Sequence, residues 1–323
     1  MTADPNYSRW RSTVNIALRD SGINRLFSKI VIPGMSRKQF IDSIIKDLAH
    51  DTSEYACDWA GRAKKNRDAG LYRKVLEFVN PSSDDLLIDL GCGTGDLFLE
   101  LGRDKVVGVD LNPYCLEAAE KALLAAGRVV RRYSRSYIGS DPNKGLVLVP
   151  DQITDELNFN QTNLVCDDIT TLDNLVSVLG DVRADAVINL CFGGVAPLSS
   201  INFIDTVFKR LQGLKTGYEM NPFKHLEKIM QRAPEILKPG GKFYFGFRIS
   251  TGNYDISSVF CEMGVSKRTI DQMMDSRRLI IPMENEEHGN IALFRAGHPR
   301  VQLQYKPNSS AYELVLFELN PHN

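Results

Sequence analysis

The sequence contains no C-x-x-C pair and no histidine at ligand spacing from a cysteine, which argues against both a zinc site and a disulfide framework. No apolar run approaches the roughly 18 residues that cross a bilayer. The opening stretch, MTADPNYSRWRSTVN, lacks the charged and then apolar regions of a secretory leader. Neither sign of charge dominates: 39 Lys+Arg against 40 Asp+Glu leave a net charge of -1, so no whole-molecule field would draw in nucleic acid or an anionic membrane. Together these absences predict a cytoplasmic protein with reduced thiols and no membrane partner. Cys166 and Cys191 lie within apolar runs, where a thiol acts as a small hydrophobe, and Cys57, Cys92, Cys115 and Cys261 stand singly.

What is present is ordinary globular material, 323 residues at 43% hydrophobic content, ample for a substantial core. Apolar residues recur at helical spacing first, with Phe40, Ile41, Ile44, Ile45 and Leu48 in one group and Leu71, Val75, Leu76 and Val79 in another. After the break at Asn80-Pro81-Ser82-Ser83, short apolar runs alternate with helical segments. Leu86–Leu90, Val106–Val109, Asn163–Cys166, Ala186–Leu190 and Lys242–Phe247 read as strands, and Cys115–Ala126 and Leu172–Leu179 as helices. This rhythm predicts a doubly wound α/β fold with a mostly parallel sheet covered by helices on both faces. Beyond Ser250 the strand-like runs Ile280–Glu284, Ile291–Arg295, Val301–Tyr305 and Tyr312–Leu319 predict antiparallel hairpins. Alternating apolar residues on both faces of the last run predict an interior strand. The expected organisation is an N-terminal helical extension over 1–80, part of a lid, then one domain over 81–323. Its long segments at 127–161 and 196–223 exceed ordinary connections.

The chemistry-bearing motif is Asp89-Leu90-Gly91-Cys92-Gly93-Thr94-Gly95, between the first strand and a helix. A chain turning sharply there needs residues without Cβ, and a ligand laid against that backbone needs the same lack of bulk. The helix N-terminus beyond could meet an anionic group such as an amino-acid carboxylate. A tight turn with no ligand is the alternative. The G-x-G-x-G spacing, with Asp89 two residues before the first glycine, departs from the dinucleotide pattern and resembles motif I of class I S-adenosylmethionine-dependent methyltransferases.

Three further elements extend the resemblance over about Leu86 to Phe247. Val106-Val107-Gly108-Val109-Asp110 ends the second strand in a carboxylate that can accept from both ribose hydroxyls. Val165-Cys166-Asp167-Asp168-Ile169 ends the third where the family places an acid near the adenine amino group and an apolar residue beside the ring. The D-x-x-x-L match to Leu172 favours Asp168 over Asp167. Leu237-Lys238-Pro239-Gly240-Gly241 resembles the family's turn into the fifth strand, and Asp185–Phe192 its motif IV, without the D/N-P-P-Y/F tetrad or a Pro-Cys dipeptide. The resemblance implies a seven-stranded Rossmann-like sheet, S-adenosylmethionine (SAM) as cofactor, and a cofactor site of Asp89, Gly91, Cys92, Gly93, Gly95, Asp110, Leu111, Asp168, Ile169 and Asn189. It is silent on the acceptor.

Tyr55 and Trp59, at i and i+4, resemble the family's aromatic-bearing covering helix or form a packing pair. No catalytic residue is assigned: His225 could serve as a base near the rim, or be a solvated residue before a helix. Arg128, Arg131, Arg132 and Arg135, with Tyr133 and Tyr137, could hold phosphates and bases, but a solvated helix face is favoured in a neutral chain. The resulting expectation is methyl transfer to a small-molecule acceptor, with no metal and with nucleic acid disfavoured. RNA or protein methylation, and SAM binding without catalysis, are the alternatives.

Overall fold

Burial on both faces selects which apolar runs become interior strands, because a strand covered by helices on either side has no solvent face to give to polar residues. Every residue of Leu87–Leu90 and of Thr162–Cys166 is buried. The computed structural model describes residues 53, 56–133, 136–141, 145–150, 153, 155–191, 222–250, 265–283 and 312–322, with backbone alone over 136–141, 145–150, 191, 222–225, 248–250, 282–283 and 312–313. The helical group at Phe40–Leu48, Tyr55, Arg135, the segment 196–221, and the runs Ile291–Arg295 and Val301–Tyr305 lie outside it.

In chain order the described elements begin with α1 (56–68), α2 (Leu71–Val79), β1 (Leu87–Leu90), α3 (Asp96–Leu101), β2 (Val106–Asp110) and α4 (Pro113–Ala125). There follow β3 (Val130–Tyr133), β4 (Ser136–Asp141), β5 (Gly145–Pro150), β6 (Thr162–Cys166), α5 (Asp173–Leu179) and β7 (Ala184–Cys191). The chain continues with α6 (Pro222–Arg232), β8 (Leu237–Ser250), α7 (Lys267–Asp275), β9 (Arg278–Met283) and β10 (Tyr312–Leu319). The main sheet has eight strands in the order β3-β6-β2-β1-β7-β8-β10-β9, and β4 and β5 pair separately as an antiparallel ribbon. Pairing is parallel from β3 to β8 and antiparallel on both sides of β10.

Two apolar layers cover the faces. On one side Ile88, Leu90, Val107, Val187 and Phe245 pack with α5, α6 and α7 residues such as Leu175, Ile229 and Met273. On the other, Leu87, Val106, Leu164, Ile188 and Leu316 pack with Val75 of α2, Phe98 of α3 and Leu116 and Leu123 of α4. The sheet is therefore doubly wound, with its order reversing direction beside β1, which has β2 on one side and β7 on the other. In the Lys238-Pro239-Gly240-Gly241 turn the register with β7 jumps from Ala184↔Leu237 to Ala186↔Lys242. Gly240 takes φ 80° there, a left-handed conformation that glycine adopts without strain.

The resemblance implies a seven-stranded sheet, whereas among the described residues the main sheet has eight strands. The additional one is β3, parallel to β6 at the sheet's edge, in the segment 127–161 read as irregular and in arginines favoured as a helix face. Tyr133, 3% exposed, anchors it in the core, while its arginines stay toward solvent and pair with carboxylates. At the other flank β10 is interior, as its pattern predicts, with Leu314, Val315, Leu316, Phe317 and Leu319 all buried. Phe317 stacks on Phe247 of β8 at 5.8 Å between ring centroids.

Candidate cofactor site

The site forms where β1, β2 and β6 end and β1 borders β7. Past Leu90 the chain turns through Gly91, Gly93 and Gly95, at φ 79°, 53° and 78°. Side chains rarely adopt these angles, so the turn needs glycine for its backbone alone. The Gly91 and Cys92 N–H groups donate to the Val109 carbonyl at 2.7 and 3.0 Å, tying the turn to β2. The Gly93 N–H donates to Asp110 Oδ2 at 2.9 Å, and the Asn112 N–H to Asp110 Oδ1 at 2.8 Å. Asn112 in turn caps α4, its side chain accepting from the Tyr114 and Cys115 N–H groups, with Pro113 in the first turn. Glycine loop, second-strand carboxylate and α4 thus form one hydrogen-bonded unit.

Three carboxylates at these strand ends differ in environment. Asp89 is 3% exposed, and its Oδ1 has no hydrogen-bond partner. Burial, with the charge of Asp110 added, pushes its carboxyl up to about 8. Asp110 keeps some exposed surface; burial raises it to about 6, against the backbone N–H groups of Asn112, Gly93 and Leu111, which favour its charge. Asp167 is fully buried and accepts from the Asp168 and Leu175 N–H groups at 2.9 and 2.8 Å, so it shapes the entry to α5. Burial lifts it to about 7.

Asp168 is half-buried, with Oδ1 held by the Thr170 N–H and hydroxyl, each at 2.8 Å. Of the adjacent pair, it is the carboxylate that keeps surface toward solvent. Ile169 packs, partly buried, against the core, and Leu111 is 7% exposed just past Asp110. Asn189, 1% exposed, donates from Nδ2 to the Leu90 carbonyl at 2.5 Å and stands 3.6 Å from where a Cβ on Gly91 would sit. It therefore joins β7 to the loop at the point where the strand order reverses. The side chain of His225 lies outside the described residues.

Trp59, read from the sequence as part of a covering helix or a packing pair, and residues not singled out there complete the site. Trp59 of α1 lies against the loop: a Cβ on Gly93 would fall 2.3 Å from its Nε1. Arg67 of α1 pairs with Asp96 at 2.9 Å, and Asp96 also accepts from the Thr94 hydroxyl at 2.7 Å. Asp96 is thus a carboxylate in the first turn of α3, so the anionic group expected at that helix is supplied by the chain itself. Tyr72 of α2 is 5% exposed beside it; burial, then the charges of Asp96 and Asp89, push its phenol well above the ordinary range, so it stays a proton donor. Asp96, immediately after the last glycine, and Asn112-Pro113, a helix-start pair, were the available sequence signals.

No family model matches the chain. It is similar to nodulation protein NoeA of Rhizobium meliloti, 41% identical over 68 residues, which are 20% of this chain and 14% of that one. It is also similar to an uncharacterized protein of Haemophilus influenzae, 51% identical over 51 residues, 15% of this chain and 20% of that one. The chain therefore matches no more than about a fifth of the length of these curated relatives. Many solved structures with a similar fold are SAM-dependent methyltransferases. One from Thiobacillus denitrificans, in complex with S-adenosyl-L-homocysteine, is 12% identical over 77% of this chain and 90% of that one, with a TM-score of 0.39. A TehB-like SAM-dependent methyltransferase from Corynebacterium glutamicum is 14% identical over 83% and 99%, with a TM-score of 0.36. An arsenic(III) methyltransferase from Chlamydomonas reinhardtii is 15% identical over 74% and 65%, at 0.36. These are distant likenesses.

Proposed function

We propose that the chain is a class I SAM-dependent methyltransferase that acts on a small-molecule acceptor. The observation that carries this reading is the pairing of the Gly93 N–H with Asp110 at the end of β2, with the unpartnered Asp89 Oδ1 behind the same loop. A buried carboxylate oxygen without a donor is costly, and a bound group carrying N–H or ammonium donors would relieve it. SAM fits that donor set. Its amino-acid end would lie near Asp89, its ribose hydroxyls would donate to Asp110, and its adenine would lie toward Asp168 and Ile169.

When bound, SAM supplies an electrophilic methyl carbon that an acceptor attacks in line with the departing sulfur. The chain's contribution is to hold the donor rigidly, align the acceptor and exclude water. The loop bonds to Val109 and Asp110 provide the first of these. Asn189 fixes the start of the region beside β7, where an acceptor would approach. Of the long segment 196–223 that the sequence suggests for an acceptor pocket, residues 196–221 lie outside the described ones.

The charge distribution supports a small acceptor. Arg128, Arg131 and Arg132 pair with Asp104, Asp155 and Glu120 at 2.7, 2.5 and 3.1 Å. β3 also stands at the sheet's edge, with β6 and β2 between it and β1. Phosphate contacts would have to displace those carboxylates. Incubating the full chain with methyl-labelled SAM and fractionated cell extract tests the reading. Label in a small-molecule fraction with matching release of S-adenosylhomocysteine (SAH) is expected; label in RNA or protein alone, or no SAH release, would contradict it.

A further inference from the structure

Hydrogen bonding sets one carboxyl apart from its neighbours at the strand ends. Asp110 accepts a backbone N–H on each oxygen, from Gly93 on Oδ2 and from Asn112 on Oδ1. Asp167 does the same, from Asp168 on Oδ1 and from Leu175 on Oδ2. Asp89 is 3% exposed, and its Oδ1 has no partner. Ionised, that oxygen would have given up water and gained no donor in exchange, so the neutral acid is the favoured form until a positive donor arrives.

The surroundings supply no such charge. Asp89 borders a space of about 10 Å³, the size of one water, which is also lined by Tyr72, Cys92, Asp96 and Leu190 and by no basic residue among those described. Asp110 faces Asp89 from β2 with a like charge. The Tyr72 phenol of α2 and the Cys92 thiol of the loop are both pushed up by burial, so they keep their protons and neutralise nothing. Asp96 of α3 is a further acid, and Arg67 of α1 is already engaged with it at 2.9 Å. From β7, Asn189 gives its Nδ2 to the Leu90 carbonyl. Burial, with the Asp110 charge added, accordingly holds the Asp89 carboxyl at about 8.

We propose that Asp89 makes cofactor binding a proton exchange: its carboxyl carries a proton in the ligand-free chain, and the ammonium group of the entering ligand displaces that proton to solvent. The proposal rests on reading the loop as the cofactor site. Only the carboxyl O–H bond breaks, the proton passes to buffer, and the ion pair of Asp89 carboxylate with ligand ammonium takes its place. An ammonium group is close to a water in size, so it suits the space that Asp89 borders. Because binding releases a proton, affinity rises with pH until Asp89 is ionised in the free chain, and levels off above about 8. Asp110, raised only to about 6, is already ionised at neutral pH and adds little to the exchange there.

Calorimetry of SAH against the full chain, repeated at about pH 7 in buffers of different ionisation heat, counts the protons exchanged. The parent should release about 0.9 proton per SAH at about pH 7 and about 0.1 at about pH 9, and its affinity should rise about five- to tenfold from about pH 6.5 to 7.5. Folded Asp89→Asn should bind more weakly, with release near zero at about pH 7 and an affinity almost independent of pH over that range. Infrared difference spectra of the parent, free against SAH-bound, give a second measurement that needs no variant: one protonated-carboxyl C=O band should disappear on binding. SAH binding without proton release, equal release from folded Asp89→Asn, or a carboxyl band that persists in the complex overturns the proton exchange and leaves the cofactor site standing. Failure of SAH to bind the parent overturns the cofactor reading and the exchange with it.

Discussion

The two flanks of the sheet bury different chemistry. Where β1, β2 and β6 run parallel, their C-terminal ends carry Asp89, Asp110, Asp167 and Asp168, and burial raises the first three to about 8, 6 and 7. Where β8, β10 and β9 run antiparallel, the buried interior is apolar, with Phe243, Phe245 and Phe247 in tilted ring contacts along it and Phe317 stacked on Phe247. Parallel strands deliver all their C-terminal ends to one edge, where backbone turns outward and polar groups converge. Antiparallel strands alternate ends and concentrate no such group, so this flank can specialise in core packing. The difference separates residues that pack the core from those proposed to form the ligand site.

The largest test of that separation removes the strand that closes the apolar flank. Truncation after Pro299 deletes β10, which bonds to β8 along one edge and to β9 along the other. Circular dichroism and limited proteolysis should report an unfolded or insoluble product; a folded truncate that binds SAH would show that the flank is dispensable. A milder version is Phe317→Ala. Phe317 is fully buried, and removing such a ring costs about 3–5 kcal/mol. Denaturant unfolding should show this loss, while SAH affinity measured well below the transition stays unchanged. A matching loss of affinity would mean that the flanks are coupled.

Asp89→Asn acts on the opposite flank with the opposite sign. A carboxyl raised from 3.8 to about 8 in the folded state binds its proton more tightly there than when unfolded. Its favourable contribution is present in full below the unfolded value and is lost as pH rises from about 4 through about 8. At neutral pH folding must therefore protonate Asp89, which costs stability, and the isosteric amide should stabilise ligand-free protein by an order of 1–2 kcal/mol. The gain should shrink toward pH 4, and SAH binding should weaken. A variant destabilised at pH 7 would show that Asp89 is structural.

These flanks were unequally legible in the sequence. Unbroken apolar runs marked β1, β2, β6 and β7, because strands buried on both faces admit few polar residues. Tyr312–Leu319 announced an interior strand in the same way. The glycine spacing and Asp110 placed the candidate site, since only a sharp turn against a strand end calls for that pattern. β3 was obscured because its middle residues are Arg131 and Arg132, so its one deeply buried side chain, Tyr133, leaves no readable period. The resemblance to a covering helix pointed at Trp59, but which part of the loop its ring meets was not legible. Aromatic pairs at i and i+4 suit any helix, and only the tertiary placement of α1 decides what the ring covers.

The most direct measurement is titration calorimetry of SAH against the full chain and its Asp110→Ala variant. The parent should bind one SAH. The variant, folded by circular dichroism, loses both the ribose acceptor and the Gly93 contact, and should bind about ten- to hundredfold more weakly, a loss of about 1.5 to 3 kcal/mol. Equal affinity in parent and folded variant, or no binding to the parent, would contradict the assignment of this loop as a SAM site.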